Sequence, residues 1–218
     1  MKKNEIHLLL TGFILLTAFV IWTILIQTVD VEPLGQNGTN IGFATLNCWF
    51  HQLTGVHMQI YTVTDWLGLV PLFVCMLFGG FGFVQLLKRK SLCSIDYDII
   101  ILGIYYCIVI ACYLVFEVIP INYRPILIEG VMEVSYPSST TLLVLCVMPT
   151  LSEQLNRRLR NTDLRKIIHI LNVFFTTFMV IGRLFSGVHW VTDIVGGILL
   201  SIGLFCIYKA SILIFAKK

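Results

Sequence analysis

The sequence predicts an all-α protein of the polytopic membrane class, with six transmembrane helices and short amphipathic helices in its first outer loop. Three observations predict it. Hydrophobic residues make up 57% of the 218 and charged residues only 12%, with a mean hydropathy of +0.89, a balance foreign to soluble domains. The apolar residues gather into six runs, each near the ~20 residues that span a bilayer. Thirteen of the 15 Lys and Arg residues fall on one side of such a six-span layout, as the positive-inside rule requires.

The first run, Ile6–Gln27, follows Lys2 and Lys3. It is long enough to span and no small-x-small cleavage site follows, so it reads as a membrane helix rather than a signal peptide. Thr28–Asp65 is too long for a bare connection. Within it, Phe43–Leu53 carries apolar residues at helical intervals, and Trp49, Phe50 and Trp66 suit a membrane interface. One or two short helices on the outer leaflet are expected here, serving either as a rim that guides lipid or as a structural lid.

The second run is Trp66–Leu87, followed by the basic loop Lys88–Asp98. The third is Ile99–Ile119, followed by a Pro-bearing loop, Pro120–Pro137. The fourth, Ser138–Leu155, is the shortest and is interrupted by Pro149 and Glu153; a second basic loop, Asn156–Lys166, follows it. The fifth and sixth, Ile167–Phe185 and Ile194–Phe215, are joined by a short HWVTD connection. The charge asymmetry puts both termini in the cytoplasm, fitting a protein of the bacterial cytoplasmic membrane.

Residues 1–218 read as one membrane domain, with no repeat and no soluble module. The net charge of +3 has this topological explanation and carries no nucleic-acid signal. Cys75, Cys107, Cys112, Cys146 and Cys206 lie inside apolar runs, so no disulfide framework is expected, and the spacing gives no zinc signature.

Two basic residues, Arg124 and Arg183, fall on the outer face, where topology does not ask for them. Arg183 opens the most informative stretch, Gly182–Asp193, which reads GRLFSGVHWVTD. A cation, an imidazole and a carboxylate this close to hydrocarbon are costly unless they serve a site. On a helix His189 and Asp193, four apart, share a face, so the carboxylate can bond one ring nitrogen and aim the other outward. The fork of Arg183 suits phosphate. Two further pieces belong to the same face: Asn122–Pro125 (NYRP) and Tyr136–Thr141 (YPSSTT). Pro137 suits a helix start, and Ser138 and Ser139 can cap it or present N–H groups to an anion. Converging, these pieces point to phosphoryl chemistry with histidine as nucleophile. A metal reading of His189 and Asp193 lacks a third ligand.

These stretches resemble the type 2 phosphatidic acid phosphatase family, which shares its site with vanadium haloperoxidases and shows three motifs: Lys-x6-Arg-Pro, Pro-Ser-Gly-His and Ser-Arg-x5-His-x3-Asp. The match runs from Glu117 to Asp193, and its third motif is intact except that Gly182 replaces the leading serine. The resemblance implies that His189 attacks phosphorus to form a phosphohistidine while Asp193 holds its ring. Arg124 and Arg183 would neutralise the equatorial oxygens, and Ser138 and the backbone of Ser139 would complete the cradle. It implies no metal or other cofactor, and a membrane lipid phosphate as substrate: phosphatidate, lysophosphatidate, phosphatidylglycerophosphate or a polyprenyl diphosphate. Oligomeric state stays open.

Two positions depart from the family. Glu117 stands where the first motif has lysine, and is expected either to pair with Arg124 or to face another helix. Thr140 stands where the second motif has its general-acid histidine. Acid–base help is typically worth ~10²–10⁴-fold in rate, so turnover should suffer while phosphate binding survives. Three explanations fit Thr140: a substitution made to trap substrate, a natural lipid-phosphate binder or transporter without efficient turnover, or a diphosphate substrate whose leaving group needs less help. Glu133 and His57 are the candidates for another acid reaching in.

Overall fold

The computed structural model describes residues 3–216. Lys2, Lys217 and Lys218, which enter the charge count, lie outside the described residues. Eight α-helices follow one another: α1 (Lys3–Thr28), α2 (Ala44–Thr54), α3 (Met58–Leu67), α4 (Leu69–Arg89), α5 (Tyr97–Val118), α6 (Ser139–Arg158), α7 (Thr162–Phe185) and α8 (Val191–Phe215). Among the described residues there is no β-strand, only isolated bridges in the connections.

Among the described residues, five helical stretches are long and apolar enough to cross a membrane: α1, the run Met58–Arg89 formed by α3 and α4, α5, α7 and α8. Their outer faces keep large apolar side chains exposed, such as Phe13 and Ile14 on α1, Phe73 and Met76 on α4, and Leu171 and Phe174 on α7. A chain that leaves such surface uncovered is made for hydrocarbon, and the protein is an integral membrane protein.

The fourth expected span forms as α6 but does not reach the apolarity of the other five. The reason is its place. Helix α6 packs against α4, α5, α7 and α8, with Leu142, Val144, Cys146 and Val147 fully buried. Facing protein, it can carry polar residues if each finds a partner. Thr150 shares a hydrogen bond with the Tyr106 hydroxyl at 2.7 Å, and Gln154 donates to the Tyr208 hydroxyl at 3.1 Å. At the C-terminal end of α6, Arg158 pairs with Asp98 at 2.7 Å, and Lys209 and Arg157 with Glu153 at 3.6 and 3.4 Å. The basic loops thus gather at one end of the helices, and Arg124, Arg183 and His189 at the other, ~30 Å away at 1.5 Å per residue along a 20-residue helix.

The second expected helix begins earlier than its apolar run. Met58–Leu67 is already helical, and only a turn at Gly68 separates it from α4, so Asp65 is a helix residue rather than the end of a loop. The amphipathic stretch Phe43–Leu53 forms α2, with Trp49 and Leu53 exposed. Buried Asn47 ties α2 to the start of α8: its amide donates to the Thr192 hydroxyl at 3.0 Å, and its carbonyl oxygen accepts from the Thr192 N–H at 3.3 Å. Helix α1 packs chiefly along α8, and its Thr23 hydroxyl shares a 2.7 Å hydrogen bond with Tyr136 beside the site.

Candidate active site

The connection between α5 and α6 closes as a small hairpin. Tyr123 bridges Val134 and Ile128 bridges Val131. The turn residues Glu129 and Gly130 both have positive φ, 51° and 79°, the signature of a two-residue type I′ turn. This register sets Arg124 opposite Glu133: the Arg124 N–H donates to the Glu133 carbonyl at 3.0 Å, and their side chains form an ion pair at 2.9 Å. Arg124 is therefore held by Glu133. Glu117 does not pair with it, and sits exposed near the end of α5.

His189 is carried by the turn between α7 and α8. Gly187 makes that turn feasible, with φ at +73° and a Cβ position only 2.2 Å from the Gly55 carbonyl oxygen; any side chain would drive the turn away from the α2–α3 junction. From this turn His189 enters the protein, 4% exposed, beside fully buried Asp193. The His189 Nδ1 lies 3.7 Å from Asp193 Oδ2, beyond hydrogen-bond reach. Both Asp193 oxygens are already engaged: Oδ1 accepts from the Asn122 amide at 3.2 Å and Oδ2 from the Trp190 N–H at 2.9 Å. Trp190 in turn donates its indole N–H to the Tyr123 carbonyl at 2.8 Å. The hairpin and the histidine turn are thereby bolted together. Burial, with the positive charges of Arg124 and Arg183, pushes the His189 pKa well below its ordinary 6.5, so the ring is uncharged at neutral pH.

Arg183, on α7, is 1% exposed. Its guanidinium lies 5.0 Å from the centre of the Tyr61 ring, and that of Arg124 lies 5.7 Å from the same ring. One aromatic face on α3 thus shelves both cations. Asp65, one turn further along α3, approaches Arg183 Nη2 at 3.5 Å. The remaining groups are uncompensated. Nη1 of Arg124, Nε and Nη1 of Arg183, and both ring nitrogens of His189 are buried without a hydrogen-bond partner. Buried guanidinium donors are costly to leave unmade, and a cluster of them around an imidazole is what an oxyanion would satisfy.

Ser138 caps α6: its hydroxyl accepts from the Thr141 N–H at 3.5 Å, and its own N–H donates to the Asp193 carbonyl at 3.2 Å. The hydroxyl is therefore occupied in capping α6 and the N–H in holding α6 to α8. Ser139 and Thr140 line a cavity of about 460 Å³ whose other walls include Asp65, Leu69, Leu72, Val109 and Leu114. His57 is turned away, its Nε2 hydrogen-bonded to the Thr54 carbonyl at 2.9 Å, and burial beside Trp190 lowers the pKa of His51.

Tyr61, Asp65 and the Asn122–Asp193 bond were not foreseen from sequence as parts of the site. A tyrosine and an aspartate four apart on one helix face, immediately ahead of an apolar run, was the available signal.

The site thus gathers two buried guanidinium groups and an imidazole in an integral membrane protein. The profile of the PAP2 superfamily matches residues 108–214, a stretch holding every site residue except those of α3, and over these residues the chain is similar to that superfamily. Its fold is similar to the crystal structure of a transmembrane PAP2-type phosphatidylglycerolphosphate phosphatase from Bacillus subtilis. The TM-score is 0.65 at 19% identity, over 95% of this chain and 98% of that one. No curated protein matches the chain.

Proposed function

We propose that the protein is a membrane lipid phosphatase that hydrolyses a lipid mono- or diphosphate through a phosphohistidine on His189. The observation that carries this reading is the set of unpartnered guanidinium nitrogens on Arg124 and Arg183 around a buried, uncharged imidazole. The clamp draws the terminal phosphate in and stabilises charge on its equatorial oxygens. His189 Nε2 then attacks in line. Positive charge develops on the ring, and Asp193 meets it as the 3.7 Å separation closes into a hydrogen bond, as such contacts do on substrate binding.

The 460 Å³ cavity supports a lipid substrate. Its polar end carries Asp65, Ser139 and Thr140, and its apolar wall runs down α4 and α5 to receive an acyl or prenyl chain. The relative of known structure supports the phosphatase class. In the membrane, α6 serves as the sixth span, both termini face the cytoplasm and the site faces outward, a reading supported by the basic cluster at the end of the helices opposite the site.

A second reading, a lipid-phosphate binder or transporter without efficient turnover, has its support in Thr140. The test is phosphate release in detergent from a panel of lipid mono- and diphosphates. The unaltered protein releases phosphate slowly, Thr140→His releases it faster by up to ~10²-fold, and His189→Ala releases none. Silence from both the parent chain and Thr140→His, with lipid-phosphate binding intact, establishes the binder.

A further inference from the structure

Resting on the phosphatase reading, we infer that Asp65 is the acid–base group of the reaction, taking the task that Thr140 cannot perform. An alkoxide leaving group needs a proton as the P–O bond breaks, and a water attacking the phosphohistidine needs to lose one. A threonine hydroxyl does neither at neutral pH. The charged and ionisable side chains around the clamp leave one suitable group. Glu133 is held by Arg124 at 2.9 Å. Asp193 is sealed from solvent and holds the Asn122 amide and the Trp190 N–H. Glu117 lines a neighbouring crevice that meets the cavity at Tyr113, Ser139 and Leu142 but does not reach Thr140, and His57 is bound to backbone.

Asp65 differs from all of them. It lines the same cavity as Thr140 and Ser139, it touches Arg183 at 3.5 Å, and its side chain is 56% exposed. It therefore stands beside the phosphate clamp on the side where the leaving group departs into the cavity, and it can exchange protons with water between turnovers. Its ionisable neighbours are Arg183 across from it on α7, Tyr61 on its own helix and Tyr113 on α5.

His189 Nε2 forms a bond to phosphorus, the P–O bond to the lipid breaks, and the Asp65 proton moves to the departing oxygen. Water then attacks phosphorus, its proton returns to Asp65, and the N–P bond breaks to restore neutral His189 and release phosphate.

The experiment compares Asp65→Asn, Asp65→Glu and His189→Ala on two substrates, a lipid alkyl phosphate and an aryl phosphate whose phenolate leaves without protonation. Inhibition by inorganic phosphate reports whether the clamp is intact. Asp65→Asn should lower kcat on the alkyl ester by ~10²–10⁴-fold, lose less than ~10-fold on the aryl ester, and keep phosphate inhibition, with Asp65→Glu recovering part of the loss. Equal losses on both esters with weakened phosphate inhibition overturn the inference and leave Asp65 as a tether for Arg183. Unchanged rates in Asp65→Asn with His189→Ala inactive also overturn it while sparing the phosphatase reading. Activity surviving in His189→Ala, or no release by the parent chain from either substrate, sinks both.

Discussion

Gly182 occupies the position of the serine that opens the third family motif, and the structure gives a steric reason. A Cβ at residue 182 would lie 2.7 Å from Thr64 Cγ2 on α3, well inside the ~3.5–4.0 Å of ordinary carbon contact. Thr64 cannot yield by rotating. It is fully buried, its χ1 is stiff, and its hydroxyl donates to the Ile60 and Tyr61 carbonyls at 2.8 and 3.0 Å. Gly182→Ser must therefore push α3 from α7 by roughly 1 Å. Overpacking of that kind costs ~1–3 kcal/mol, or ~2–12 °C in thermal midpoint for a chain of this size. Tyr61 and Asp65 flank Thr64 on α3, so the same shift lifts the shelf and the carboxylate away from Arg183. A displacement near 1 Å in a positioned site can cost ~10²-fold in rate. The assay is thermal unfolding in detergent beside phosphate release, for Gly182→Ser, Thr64→Ala and the double variant. Thr64→Ala removes the obstructing methyl, so the double variant should regain most of both losses relative to Thr64→Ala alone. A Gly182→Ser protein with unchanged midpoint and rate, or a double variant no better than the single, would refute the claim that α3 packing fixes the site.

Arg183→Lys keeps a charge but loses the fork. With ~1.5–3 kcal/mol in a charge-assisted hydrogen bond, inhibition by inorganic phosphate should weaken roughly 10- to 100-fold, read from inhibition constants. Folding stability should also depend on pH through His189. Its folded pKa lies well below the ordinary 6.5, so the unfolded chain binds more protons on the acid side. That contribution is fully present above 6.5 and is lost as pH falls through the window beneath it. Thermal midpoints between pH 7.5 and pH ~5 should fall, and less steeply in His189→Gln; His51, lowered by burial in the same direction, leaves part of the slope.

Much of this architecture was legible in the order of residues. The expected run Ile6–Gln27 became Lys3–Thr28, Ile99–Ile119 became Tyr97–Val118, and Phe43–Leu53 became Ala44–Thr54, because continuous apolarity and helical periodicity are local properties. The spacing of Arg183, His189 and Asp193 was legible for the same reason. What stayed hidden are partnerships between segments distant in the chain. Glu133 reaches Arg124 through a hairpin register fixed by a Glu129–Gly130 turn, Asn122 finds Asp193 across 71 positions, and Tyr61 and Asp65 meet the arginines only because α3 packs on α7. Nor does hydropathy reveal that α6 is enclosed, since enclosure is decided by its neighbours.

The charges of the site explain why α3 belongs to it. Two guanidinium groups buried in one place repel each other, and neither can be left in hydrocarbon alone. Glu133 answers Arg124 from the hairpin and Asp65 answers Arg183 from α3, at 2.9 and 3.5 Å, while the Tyr61 ring offers its electron-rich face to both. The two pairs are unequal. The closer carboxylate is 41% exposed and backed by a backbone bond to its partner's strand, whereas Asp65 is the more exposed and the more distant. A phosphate arriving in a cluster whose two cations already face two carboxylates brings surplus negative charge. The arrangement that lets Arg183 lie buried thus leaves, in Asp65, a loosely held carboxylate open to water beside Ser139 and Thr140, the place a general acid has to occupy.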